Sequence, residues 1–72
     1  MSKLYFTLCI REDKLWTAQF GDYDSSIVRQ EREDSYSHLT NRNVKILTTS
    51  DEQAAIDRAV RRLNYPNSVR AH

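Results

Sequence analysis

Leu4, Phe6, Leu8 and Ile10 alternate with Lys3, Tyr5, Thr7, Cys9 and Arg11, and this alternation narrows the fold more than any other feature of the chain. A period of two with β-forming side chains specifies a strand. The intervening Tyr5, Thr7 and Cys9 are only mildly polar, which suits a central strand. Arg11-Glu12-Asp13-Lys14 reads as a turn. Trp16, Ala18 and Phe20 then alternate with Leu15, Thr17 and Gln19, so a second strand returns as a hairpin. Gly21-Asp22 ends it, the glycine supplying the dihedral needed to leave the sheet.

Asp24 is an N-cap for a helix expected over about Ser25–Leu39. Its apolar stripe is thin: Ile27, Val28, Tyr36 and Leu39, with charges between them. Such a helix buries little and shows most of itself to water or to a partner. After a loop at Thr40-Asn41-Arg42-Asn43, Val44-Lys45-Ile46-Leu47-Thr48-Thr49 forms a third strand. Ser50-Asp51-Glu52-Gln53 has the spacing of a capping box, Ser50 and Gln53 satisfying each other's orphan N–H groups. The helix it opens buries Ala55, Ile56, Ala59, Val60 and Leu63 and is expected to stop at Pro66.

These elements predict an α+β domain with a three-stranded, mainly antiparallel sheet, two helices packed on one face, and the order β-β-α-β-α. The first strand is placed in the centre, giving strand order 2-1-3. The alternative sets the third strand beside the second as a right-handed parallel unit. The domain is expected over 1–66, with a frayed tail at 67–72. The open sheet face would then show Tyr5, Thr7, Cys9, Lys45 and Leu47.

Seventy-two residues suffice for one domain. A chain this short buries about 60% of the surface exposed by its unfolded form, so a partner or a second copy adds meaningfully to its stability. Cys9 is the single cysteine. An intrachain disulfide is therefore impossible, and a reducing, cytoplasmic setting is expected. No apolar run reaches the length of a membrane span, and no membrane partner is expected. The alternating N-terminus reads as a strand, not a signal peptide. One glycine and one proline leave no linker and no glycine-rich phosphate loop.

The formal charge of +1 conceals a lopsided distribution. Residues 12–34 carry seven acidic side chains against three basic ones, a net of −4, whereas residues 35–72 carry six basic against three acidic, a net of +3.

No catalytic, metal or cofactor motif emerges. Cys9 lies mid-strand, and neither His38 nor His72 is spaced to serve it as a base, so it reads as an inert structural cysteine. Asp22-x-Asp24 supplies two carboxylates but not the remaining ligands of a calcium loop, and the pair suits a turn and a helix cap better than a metal. Ser25, Ser26, Ser35 and Ser37 lack a nucleophile-elbow context. The chain is expected to be no enzyme and to carry no cofactor.

Two surfaces remain. Asp22, Tyr23, Asp24, Glu31, Glu33, Asp34 and Tyr36 combine acids and tyrosines on a loop and a poorly buried helix, a composition suited to protein recognition. The bland reading is a solvated helix face laced by weak pairs. Arg58, Arg61, Arg62 and Arg70 are the alternative, a basic helix able to meet phosphates with Tyr65 nearby to stack on a base. There the bland reading is a set of solvated arginines favoured by the helix dipole.

Trp16-Thr17-Ala18-Gln19-Phe20-Gly21-Asp22-Tyr23-Asp24, followed by an acidic helix, resembles the middle of a group of short uncharacterised phage, prophage and proteobacterial proteins. Thr48-Thr49-Ser50-Asp51-Glu52-Gln53-Ala54-Ala55-Ile56-Asp57 is similar to the start of their C-terminal helix. The resemblance covers most of the chain and carries no activity and no functional residues. It implies a phage-type accessory factor that binds and blocks a host protein or protein–nucleic-acid complex, in the manner of an anti-CRISPR inhibitor of a defence nuclease. The expected function is thus a non-catalytic protein-binding protein acting through the acidic face. The alternatives are a nucleic-acid-binding module using the arginine-rich helix and a homodimeric structural protein.

Overall fold

The computed structural model describes residues 3–70, with side chains through residue 65. Strands β1 (Leu4–Glu12) and β2 (Leu15–Asp22) precede helix α1 (Ser25–Ser35). A single 3-10 turn (Asn41–Asn43), strand β3 (Val44–Ser50) and helix α2 (Gln53–Arg70) follow. The sheet is antiparallel with order β2-β1-β3, so the α+β class, the element order and the central place of the first strand all hold.

The hairpin is tighter than the four-residue turn expected. Glu12 pairs directly with Leu15, and Asp13 and Lys14 take φ of 51° and 68°. Two consecutive left-handed residues define the turn whose twist matches that of the strands it joins. The second strand also departs from simple alternation. Leu8 faces Phe20 but Cys9 faces Ala18, so Gln19 is an extra, bulged residue. The bulge turns Phe20 to the face opposite Trp16 and Ala18, although sequence alternation puts all three together. Phe20 joins the cluster of Leu8, Ile10, Val28 and Val44, with Phe6, Tyr36 and Leu39 around it.

Helix α1 covers that cluster. Asp24 caps it, its carboxylate accepting from the Ser26 N–H at 2.9 Å. The helix ends at Ser35, four residues before the expected stop, because Arg32 takes over the next carbonyls. Its guanidinium donates to the Tyr36 carbonyl, to the Leu39 carbonyl at 2.7 Å and to Asn41 Oδ1 at 3.1 Å. Charge-assisted bonds of this kind hold Tyr36 and Leu39 against the core in a turn rather than a helix.

The expectation that both helices share one sheet face is corrected for α2. Alternation along β1 puts Tyr5, Thr7 and Cys9 opposite Phe6, Leu8 and Ile10. Ile56 and Gln53 of α2 share a crevice with Tyr5, Thr7, Ala18 and Gly21, so α2 lies on the side away from α1. The face expected to stay open is therefore closed over β1: Thr7 is 3% exposed and Cys9 fully buried. Trp16, also buried, lies 5.4 Å from the Arg11 guanidinium carbon and 5.5 Å from Lys45 Nζ. The physical reason is Asn64. It accepts from the Trp16 N–H at 2.8 Å and donates to the Trp16 carbonyl at 3.0 Å, tying the far part of α2 to the outer edge of β2.

The capping box does not form. Ser50 is the last residue of β3, and the Glu52 carbonyl accepts from Ala55 and Ile56, which starts α2 at Gln53. Gln53 instead donates to Asp57 at 2.8 Å. The backbone of α2 continues past the expected stop at Pro66 to Arg70. A proline removes one donor from a helix without barring helical conformation at the residues after it. Positions 71 and 72 lie outside the described residues, and with them His72.

Candidate functional site

The acidic candidates are largely engaged in holding the chain. Asp22 Oδ1 accepts from the Asp24 N–H at 2.9 Å. Asp24 accepts from both the N–H and the hydroxyl of Ser26, bonds that hold its carboxyl below the usual carboxylate range. The Tyr23 ring meets Tyr5 edge-on, with centroids 5.0 Å apart, and its hydroxyl donates to Asp51 Oδ2 at 3.1 Å. That bond, followed by desolvation and the Asp51 charge, raises the Tyr23 pKa. Tyr36 is packed against the core.

Glu31 is half-buried, and Asp34 accepts from Gln30 at 2.9 Å. Glu33 and Asp34 point to solvent. From Asp24 to Asp34 the helix rises about 15 Å. The seven residues thus divide into a group at the start of α1 and another at its end, with Arg29 and Gln30 exposed between them.

The basic candidates are brought together. Arg58, Arg61, Arg62 and Tyr65 stand at i, i+3, i+4 and i+7, one face of a helix. All four are exposed, and they line a groove of about 350 Å³. The half-buried Ala55, Ile56, Ala59, Val60 and Leu63 occupy the opposite side of α2, so the arginine face looks outward. Tyr65 is 64% exposed. Among the described residues, none of the three arginines has an ion pair or a hydrogen-bonded partner. The fourth candidate, Arg70, lies in α2, but its side chain is outside the described ones.

Three other cations of the chain have internal duties. Arg11 donates twice to Asn43 Oδ1, both at 3.1 Å, Arg32 ends α1, and Lys45 sits over Trp16. Among the described residues Arg58, Arg61 and Arg62, like Arg29 and Arg42, have no such duty, and they alone of these stand together on one helix face. A face of three guanidinium groups and one phenol has five-donor forks for phosphate oxygens and a ring for a base.

Residue spacing marked the arginine face but not the structural parts of Arg32, Asn64 and Gly21. Asn64 acts on Trp16 across 48 residues and Gly21 leaves room for the ring of Tyr5 on the neighbouring strand, whereas Arg32 reaches only to residues 36–41, where its bonds depend on the chain leaving the helix. Among the described residues no group of three or more His, Cys, Asp or Glu side chains is placed to hold a metal ion, and no helix is long and apolar enough to cross a membrane. Comparison with protein-family models, with curated proteins and with solved structures finds no match.

Proposed function

We propose that this protein is a non-catalytic binding protein whose outward α2 face takes a nucleic-acid strand. The observation that supports this reading best is the stripe of Arg58, Arg61 and Arg62, unpaired among the described residues, around the exposed ring of Tyr65. Three guanidinium groups at helical spacing follow a phosphate backbone, and an aromatic ring among them stacks on a base without selecting its identity. Single-stranded nucleic acid is the class that uses both. The overall charge of +1 keeps the attraction local to this face, so the affinity is modest and salt-sensitive.

The test is fluorescence anisotropy with a labelled single-stranded oligonucleotide at low salt. Arg58→Ala/Arg61→Ala/Arg62→Ala abolishes binding, and Tyr65→Ala weakens it about tenfold, the value of one stacked base. Glu33→Lys/Asp34→Lys on the other helix leaves it intact. Undiminished binding by the triple arginine variant rejects the reading.

A second reading keeps a protein partner, in line with the phage-type resemblance. It is favoured by Ile27, 45% exposed, on the same side of α1 as Glu31 and Asp34. An apolar anchor flanked by acids suits a basic protein surface. Here Ile27→Ala and Asp34→Lys abolish capture of the partner, and the arginine variants do not.

A further inference from the structure

The two outer edges of the sheet are treated differently. That of β2 is clamped at Trp16 by Asn64. On β3 the direction of each backbone group follows from the hairpin. A two-residue turn makes Glu12 and Leu15 a hydrogen-bonded pair, so alternate residues of β1 bond to β2 and the others to β3. Thr7, facing Gly21 in a non-bonded pair, therefore bonds across to its β3 partner Leu47, and the outward-pointing residues of β3 are Val44, Ile46, Thr48 and Ser50. The two ends are already engaged: the Val44 N–H bonds to the Asn41 carbonyl, and the Ser50 carbonyl accepts from Thr49 Oγ1 at 2.7 Å. That leaves the N–H and C=O groups of Ile46 and Thr48 without a partner among the described residues, along a seven-residue strand without proline, glycine or bulge. Such an edge is a template for another strand.

We propose that the strand it takes is the β3 of a second copy of this chain, antiparallel about a two-fold axis at Leu47, which joins two three-stranded sheets into one of six strands. Centring on Leu47 is the register in which all seven residues overlap, Val44 facing the partner's Ser50. It sets Ile46 opposite the partner's Thr48, so the free groups of each copy satisfy those of the other. Leu47, half-buried in one chain, meets the partner's Leu47 on the α2 side. Ile46, 36% exposed, comes diagonally against the partner's Ile46 on the α1 side. Lys45, the only charge in β3, faces the partner's Thr49, so no like charges oppose one another. The two-fold axis runs perpendicular to the sheet, which puts both α2 helices on one side and both arginine faces in one direction. The pairing stands on the strand edge alone and is independent of what the arginines bind.

Sedimentation velocity of the full chain at high micromolar concentration tests it, with cysteine crosslinking to fix the register. The wild type sediments with the mass of two chains. Thr48→Pro removes an outward donor without touching the ladder to β1 and gives a folded monomer. Under mild oxidation Leu47→Cys forms a disulfide-linked dimer, since a non-bonded antiparallel pair sets Cα atoms about 4.5 Å apart, within disulfide reach. Thr49→Cys does not, its Cα lying more than about 13 Å from its counterpart in this register. The crosslinking pair also decides the matter if Thr48→Pro fails to fold. A wild type that is monomeric throughout overturns the pairing, as does a folded Thr48→Pro that remains dimeric or crosslinking that is equal at positions 47 and 49.

Discussion

Cys9, Thr7 and Gly21 share the face of the sheet beneath α2, and each is explained by what lies over it. Burial pushes the Cys9 thiol up to about 11 from its ordinary 9.0, because a thiolate there would lose its hydration. In the folded protein at pH 8 Cys9 resists iodoacetamide and reacts only after denaturation, which mass spectrometry reads directly. The sign of the linkage follows: the folded thiol holds its proton more tightly than the unfolded one. Its contribution to stability is intact below about pH 9 and is lost as pH rises through 11. The Thr7 hydroxyl is buried without a hydrogen-bond partner among the described residues, which costs about 1–3 kcal/mol. Thr7→Val keeps the shape and removes the orphan, so urea denaturation should show a gain of about 1 kcal/mol. An equal loss would show that the hydroxyl is satisfied. Gly21 has no positive φ. Its requirement is space, since a Cβ there would run into the Tyr5 hydroxyl and lie 2.6 Å from its ring. Gly21→Ala should cost about 1–3 kcal/mol, and in a Tyr5→Ala background it should cost nothing. The mid-strand place of Cys9 was legible from the alternation, although the face that carries it was expected to stay open. The apposition of Tyr5 and Gly21 was not legible, because it depends on strand register.

At the scale of elements, a signal held within a few residues was legible unless the surrounding structure overrode it, and contacts across the chain were not. Asp24 as a cap needs only the four residues after it, and it was legible. The capping box at Ser50 was a local signal overridden by the sheet: pairing of Ser50 with Leu4 keeps it extended, and the helix starts at the next free residue. The bulge at Gln19 could not be seen, because its cause is the need to aim Phe20 and Trp16 at two different cores. The side of the sheet taken by α2 was missed for the same reason, as Asn64 and Trp16 are 48 residues apart. That clamp satisfies two backbone groups with one side chain. Asn64→Ala should destabilise the domain by about 1–2 kcal/mol and raise amide exchange at Trp16 above that of Ile10. Unchanged protection at Trp16 would mean that the clamp does not hold in solution.

Taken whole, the molecule is a thin-cored sheet between two helices. Leu8, Ile10 and Val28 are the largest fully buried apolar side chains, with Trp16 and Val44 nearly so, each of the three contributing about 2 kcal/mol. Polar devices therefore hold much of the chain: Arg11 on Asn43, Arg32 on the end of α1, Asn64 on β2, Tyr23 on Asp51. The asymmetry of charge visible in the sequence acquires its meaning here. In the central acidic group Asp22 and Asp24 are engaged in a turn and a cap, Asp24 standing about 15 Å from Asp34, while the later arginines are collected on one outward face and left unpaired among the described residues. The sequence marked both groups as candidate surfaces, and only the three-dimensional arrangement separates them. The most direct measurement of the central claim is the salt dependence of oligonucleotide binding. Three phosphates neutralised on a single strand give a slope of about −2 for the logarithm of the association constant against that of salt concentration. Reversal of Arg58, Arg61 and Arg62 to glutamate should remove both the binding and the slope. A folded charge-reversed variant that retained the wild-type slope would contradict the account.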